Sequence, residues 1–160
     1  MRRALALVLV LAGCGYRVTA PNASLPGGVR AVRVPVFENR TAEPGVELAF
    51  TQAAKDLLAR AGRLSDGNAE ARLDGSILSI GGGPFLASSA LPRYPVFRLS
   101  ASVSLTLTRE GRTLSSTVVT VIEEFPSGAD VLQTEANRAQ ALRRLADAAL
   151  REGLERLQSP

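Results

Sequence analysis

The sequence predicts an α+β fold: a two-layer sandwich whose four-stranded mixed sheet carries two helices on one face, in the order β-α-β-β-β-α. Three observations predict it. Phe97, Leu99, Ala101, Val103, Leu105 and Leu107 alternate with Arg98, Ser100, Ser102, Ser104, Thr106 and Thr108, the period-two pattern of a half-buried strand. Residues 46–61 and 131–157 carry apolar side chains at helical spacing. The first helix lies between two strands and makes them parallel through a crossover, while the remaining strands form a meander.

The chain opens with a segment that belongs to no fold. Arg2 and Arg3 precede an uninterrupted apolar run, residues 4–12, which ends in Leu11-Ala12-Gly13-Cys14. The run is shorter than the roughly 20 residues a membrane-spanning helix needs, and has the length of a signal-peptide core. The four residues at its end resemble the lipobox of bacterial lipoproteins. That resemblance implies cleavage after residue 13 and acylation of the Cys14 thiol and freed amine, so that the chain is anchored to outer-membrane lipids. Two or more acyl chains make such an anchor stable, at about 0.8 kcal/mol per buried methylene. Gly15 replaces the Asp associated with inner-membrane retention. Residues 14–28, with Pro21, Pro26 and paired glycines, read as a tether, and residues 29–160 as one domain.

Within that domain, residues 29–37 form the first strand, with Val32, Val34 and Val36 on one side and Pro35 marking an edge or an end. Residues 38–45 turn into the first helix. Pro44 suits a first helical turn, Glu43 and Glu47 complement the positive end of the helix dipole, and Gly62 stops the helix. Val46, Phe50, Ala53, Leu57 and Ala61 are its expected apolar stripe. Residues 70–80 form a second strand containing Leu73, Ile77 and Ile80, broken by Gly81-Gly82-Gly83-Pro84, and residues 85–95 form a loop. After the long alternating strand, Arg109-Glu110-Gly111-Arg112 is a tight hairpin turn. Residues 113–125 return with Leu114, Val118 and Ile122 on one side. Asp130 and Gln133 fit a capping box at the start of the last helix. Its inner face is Ala139, Leu142, Ala146, Ala149, Gly153 and Leu157.

Composition excludes several functions. There are 160 residues, no His and one Cys, so a Ser-His-Asp triad, a His-containing metal site and an internal disulfide are all ruled out. No cofactor or metal is expected. Once Arg2 and Arg3 are removed, 17 of the 19 basic residues remain against 15 acidic ones, a balance too even for a nucleic-acid binder. Gly81-Gly82-Gly83 lacks the Lys-Ser/Thr of a phosphate loop. Glu123 and Glu124 point to opposite faces of a strand and cannot act as a catalytic pair.

Several segments resemble one family. They are Leu11-Ala12-Gly13-Cys14-Gly15-Tyr16, Val32-x-Val34-Pro35-Val36-Phe37-Glu38-Asn39-Arg40-Thr41, Glu43-Pro44-Gly45-Val46-Glu47, Leu58-x-x-x-Gly62-Arg63 and Leu73-x-Gly75. Together they are similar to the LPS-assembly lipoproteins of the LptE type. The resemblance implies a non-catalytic outer-membrane lipoprotein that plugs and supports the barrel that inserts lipopolysaccharide (the LptD type) and binds lipopolysaccharide itself. Lipid A phosphates call for Arg forks, and the candidates are Arg93, Arg98, Arg109 and Arg112; each also reads as an ordinary solvated surface charge. Arg138, Arg143, Arg144, Arg151 and Arg156 read as a solvated helix face with Asp147, Glu152 and Glu155. Two rivals remain at this stage: a free-standing lipid-binding lipoprotein without a barrel partner, and a periplasmic hydrolase, for which no nucleophile elbow is present.

Overall fold

The computed structural model describes residues 25–85 and 95–158. It is the expected α+β arrangement, with one mixed sheet on one side and two helices on the other. The elements are β1 (Val32–Arg33), β2 (Glu38–Asn39), α1 (Val46–Arg60), β3 (Ala71–Phe85), β4 (Val96–Arg109), β5 (Arg112–Pro126) and α2 (Val131–Gln158). The sheet runs β1-β3-β4-β5, with β2 beside β1 on the same edge of β3. β1 and β2 are parallel to β3, as the crossover requires, and β3, β4 and β5 are antiparallel.

The first expected strand is thus two short ones, and the sheet has five strands. Pro35 has no N–H to give, and the Phe37 N–H is donated to Thr51 Oγ1 at 2.9 Å instead of to the ladder. The break shifts the inward face by one residue. Val32, Val34 and Phe37 are buried, whereas Val36 is 62% exposed.

α1 is rotated relative to the expected stripe. Its buried residues are Val46, Phe50, Thr51, Ala54 and Leu58, while Ala53 and Leu57 pack only at the margin. Gly45, at φ 85°, precedes the helix in a left-handed conformation, which places Pro44 in the turn and not in the helix. The far end closes as a Schellman motif. Gly62 (φ 65°) donates to Ala59 O, and Arg63 to Leu58 O, at 2.9 and 2.8 Å. This explains the Leu58-x-x-x-Gly62-Arg63 pattern.

β3 continues straight through Gly81-Gly82-Gly83-Pro84, pairing residue by residue with β4 as far as Phe85 opposite Val96. The glycines do not break the strand, because the long β4 supplies a ladder whether or not β3 has side chains. Ile77 pairs with Val103 and Ser79 with Ser102, so Leu78 is an extra, bulged residue. β4 buries Leu99, Ala101, Val103, Leu105 and Leu107 as its alternation requires. The hairpin turns on Glu110 and Gly111, both at positive φ (50° and 77°).

β5 corrects another expectation. Leu107 pairs with Ser115 and Thr108 with Thr113, leaving Leu114 bulged. Leu114 packs against the core, but beyond the bulge the inward residues are Val119, Val121 and Phe125. Val118 and Ile122 lie on the outer face, 51% and 58% exposed. α2 begins as expected: Asp130 Oδ1 accepts from the Gln133 N–H at 2.7 Å, and Gln133 Oε1 accepts from the Ala129 N–H at 2.9 Å. Its inner face is Ala141, Leu145, Ala146, Ala149, Leu150, Gly153 and Leu157; Ala139 is exposed and Leu142 only half-buried. Leu25 and Val29 flank a single turn, Pro26–Gly28, and belong to the same core.

Candidate functional site

The sequence motif at residues 37–47 builds a turn. Asn39 organises it, donating Nδ2 to Glu43 O (2.8 Å) and to Glu47 Oε2 (2.9 Å). Asn39 Oδ1 accepts from both the N–H and the hydroxyl of Thr41, at 2.9 and 2.7 Å. Thr41 Oγ1 in turn accepts from the Glu43 N–H. Glu38 pairs with Arg40 at 2.8 Å and accepts from Ser76 of β3. The Arg40 guanidinium, helped by the Ser76 hydroxyl, holds the Glu38 carboxyl below its ordinary range, and Glu38 raises Arg40 in return. The motif therefore sets the angle between β2 and α1. Thr51, which reading the sequence did not single out, completes the joint: it accepts from Phe37 and donates to Glu47 O at 2.6 Å. A Thr inside an apolar helix face was its only signal.

Cys14 and Arg93 lie outside the described residues. The other candidate arginines do not form one cluster. Arg98 sits near the start of β4 and donates to Glu124 Oε1 of β5 at 2.8 and 3.2 Å. Arg109 and Arg112 face one another across the hairpin at the other end of the sheet. The eleven-residue separation from Arg98 corresponds to roughly 36 Å along a strand. Arg109 is further committed, donating to Gly27 O at 3.0 Å and lying 3.8 Å from Glu70. Arg112 is exposed.

The solvated face of mixed charge expected on the last helix resolves into separate ties. Arg138 grips both carboxylate oxygens of Glu43 at 2.5 and 2.6 Å, in a half-buried pair that bolts α2 to the turn before α1. Arg144 pairs with Glu123, Arg151 with Asp147 and Arg156 with Glu152. Glu123 and Glu124 do diverge, the first toward Arg144 of the helix and the second toward Arg98.

On the outer face of the sheet, away from the helices, the stretch shared by β4 and β5 carries no charge between its ends, whereas β3 and β2 add the Arg72–Asp74 and Arg40–Glu38 pairs beside it. Ser100, Ser102, Ser104 and Thr106 of β4 stand opposite Ile122, Thr120, Val118 and Ser116 of β5. The Ser102 and Thr120 hydroxyls meet at 2.5 Å. The Arg98–Glu124 pair bounds this band at one end and the Arg72–Asp74 pair at the other. On the helix side, a cleft of about 440 Å³ opens at the corner of the sheet beside the Gly81–Gly83 stretch. Ile80, Phe97, Leu99 and Phe125 form its floor, and Glu43, Glu135 and Arg138 its rim. Phe97 and Phe125 stack there with centroids 5.4 Å apart. Among the described residues no group of His, Cys, Asp and Glu could hold a metal, and no helix is long and apolar enough to cross a membrane.

A two-layer sandwich with this element order recurs in solved structures that are only distantly similar in sequence. The fold is shared with a candidate lipoprotein of Caulobacter crescentus (TM-score 0.57, 20% identity, 78% of this chain and 88% of that one). It is also shared with the PelC dodecamer of Paraburkholderia phytofirmans (TM-score 0.50, 17% identity, 82% and 89%). No curated protein sequence matches the chain. The sequence profile of the lipopolysaccharide-assembly family LptE matches residues 29–157, and the chain belongs to that family.

Proposed function

We propose that this lipopolysaccharide-assembly protein is a non-catalytic lipoprotein, acylated at Cys14, that sits in the lumen of the outer-membrane barrel inserting lipopolysaccharide. It plugs and supports that barrel and binds lipopolysaccharide during assembly. Family membership supplies the process. The observation that carries the plug reading is the uncharged band of the outer sheet face, where the hydroxyls of Ser100 to Thr106, Ser116 and Thr120 surround the exposed Val118 and Ile122. Barrel interiors are polar and wet. The short hydroxyls of such a band can exchange water for wall hydrogen bonds without desolvating full charges, which would be far more costly.

The arginines divide between two roles. Arg109 is a strut for the turn at Gly27, to whose carbonyl its guanidinium donates. The Arg98 end of the sheet is the better place for a lipid A phosphate, because an exposed Arg–Glu pair gives up little when the guanidinium turns to a phosphate. Arg93 lies five residues earlier in the chain.

Photo-crosslinking from position 102 or 106 in the native membrane tests the plug. Capture of a large barrel protein is expected. Recovery of only a soluble periplasmic partner, or of none, would favour the free-standing lipid-binding lipoprotein instead.

A further inference from the structure

The two edges of the sheet are treated differently. Backbone groups in an antiparallel pair alternate in direction, and side chains approach most closely at the pairs without ladder bonds. The 2.5 Å contact of Ser102 with Thr120 marks such a pair. Even-numbered residues of β5 therefore aim their N–H and C=O at the free edge, and even-numbered residues of β4 aim theirs at β3. On the β5 edge, α2 meets two of the outward carbonyls. Arg156 donates to Val118 O at 3.2 Å and Arg144 to Glu124 O at 3.4 Å, each Arg held by an acidic neighbour.

The edge formed by β3 has no such guard along its second half. β2 pairs only as far as Ile77, whose carbonyl accepts from the Arg40 N–H. Beyond the Leu78 bulge, Gly81 and Gly83 stand opposite Ser100 and Arg98 and bond toward β4. Ile80 and Gly82 therefore direct both of their backbone groups outward, and Pro84 its carbonyl. Among the described residues no strand or side chain meets them. Gly81, Gly82 and Gly83 offer no side chain to hold another backbone off, and a Cβ at Gly83 would meet nothing within 4 Å. Directly inside this edge lies the corner cleft, floored by Ile80, Phe97, Leu99 and Phe125.

We propose that the Ile80–Gly82 edge of β3 is a strand-addition site for an extended segment of the partner polypeptide, its alternate apolar side chains entering the corner cleft. Only a polypeptide backbone supplies donors and acceptors at the spacing Ile80 and Gly82 present, and an open edge with an adjoining apolar pocket is the arrangement by which strand addition combines affinity with selectivity. Edges left open invite pairing, and among the described residues nothing bonds to the outward backbone groups of Ile80 and Gly82. The inference rests on the plug reading only for which protein supplies the segment.

Hydrogen exchange on the full-length protein tests it. Measurements compare the detergent-solubilised chain alone with the assembly purified from its native membrane, whichever protein that assembly contains. The Ile80 and Gly82 amides should exchange rapidly in the lone chain and slow at least 100-fold in the assembly, while Gly81 and Gly83 stay slow in both. Fast exchange at Ile80 and Gly82 in the assembly overturns strand addition. Slow exchange already in the lone chain also overturns it, since this chain then covers its own edge. An assembly without a barrel would defeat the plug reading, but leave the exchange result to decide the edge. Gly82→Pro removes the outward donor, and because a Cβ there comes within 3.1 Å of Arg98 O on β4, Gly82→Ala serves as the control for that crowding and should keep recovery of the partner. Gly82→Pro should lower recovery of the partner at least tenfold, and unchanged recovery with a native circular dichroism spectrum would count against the site.

Discussion

The ring of Phe37 occupies the space where residue 75 would carry a Cβ: three of its atoms lie 2.3–2.5 Å from that position. Phe37 is itself buried, with its backbone tied to Thr51, so the ring has nowhere to go. This is the physical content of the Leu73-x-Gly75 pattern. Gly75→Ala should destabilise the fold by about 1–3 kcal/mol through overpacking, read from urea denaturation, and Phe37→Leu in the same chain should recover part of the loss. An additive double variant would mean that the two positions do not meet.

Thr51→Val keeps the shape of the side chain and removes its hydrogen bonds. It leaves the Phe37 N–H buried without an acceptor, a loss of about 1–3 kcal/mol. Thr51→Ser should keep most of the stability. Equal losses in the two variants would show that packing of the methyl group, and not the hydroxyl, holds the joint.

Arg144 and Arg156 are expected to guard the β5 edge against self-association. Arg144→Ala and Arg156→Ala should change the unfolding midpoint little, since both pairs are largely exposed. Together they should raise light scattering on storage at high protein concentration. A double variant that remains as monodisperse as the parent would remove the guarding role.

Arg98 and Arg109 should separate in their effects. Arg98→Ala is expected to weaken binding of lipopolysaccharide by roughly tenfold, equivalent to about 1.4 kcal/mol, with stability unchanged. Arg109→Ala is expected to cost roughly 1 kcal/mol of stability through the lost bond to Gly27 and to leave binding intact. The reverse outcome would move the phosphate site to the hairpin end.

Glu38 should titrate below an ordinary Glu, which lies near about 4.3, because Arg40 and Ser76 hydrogen-bond its charged form. A lowered folded-state value means that the contribution is present above the unfolded-state value and is lost as pH falls through the folded one. An NMR titration should show the depressed midpoint, and Arg40→Ala should raise it. An unmoved midpoint in that variant would assign the shift to Ser76.

Much of the architecture was legible because it rests on local periodicity. The alternation of 97–108 made β4 a strand with one buried face, Asp130 and Gln133 capped α2, and Gly111 and Gly62 marked chain reversals that need a positive φ. The misread strand faces share one cause. Pro35, Leu78 and Leu114 each sit at a break or bulge that adds one residue to a period-two pattern, so every side chain beyond it changes face. Val36, Val118 and Ile122 were placed inward for that reason. Apolar residues neighbour both possible faces there, and only pairing with the adjacent strand selects one. Gly81-Gly82-Gly83 read as a breaker because glycine lowers local strand propensity, yet β4 provides a ladder that overrides it.

The candidate site divides in the same way. Residue chemistry alone named the arginines, since phosphate recognition calls for guanidinium. Which of them are available was a tertiary matter: Arg109 and Arg138 are drawn into ties with Gly27 and Glu43, partners 82 and 95 residues away in the chain. The sequence by itself determined the layer architecture, the absence of His chemistry and the helix ends, all set by interactions within a few residues. Only the tertiary structure decided which faces of the first strands and of β5 are buried and which edge groups of the sheet find partners, because both depend on groups contributed by distant segments.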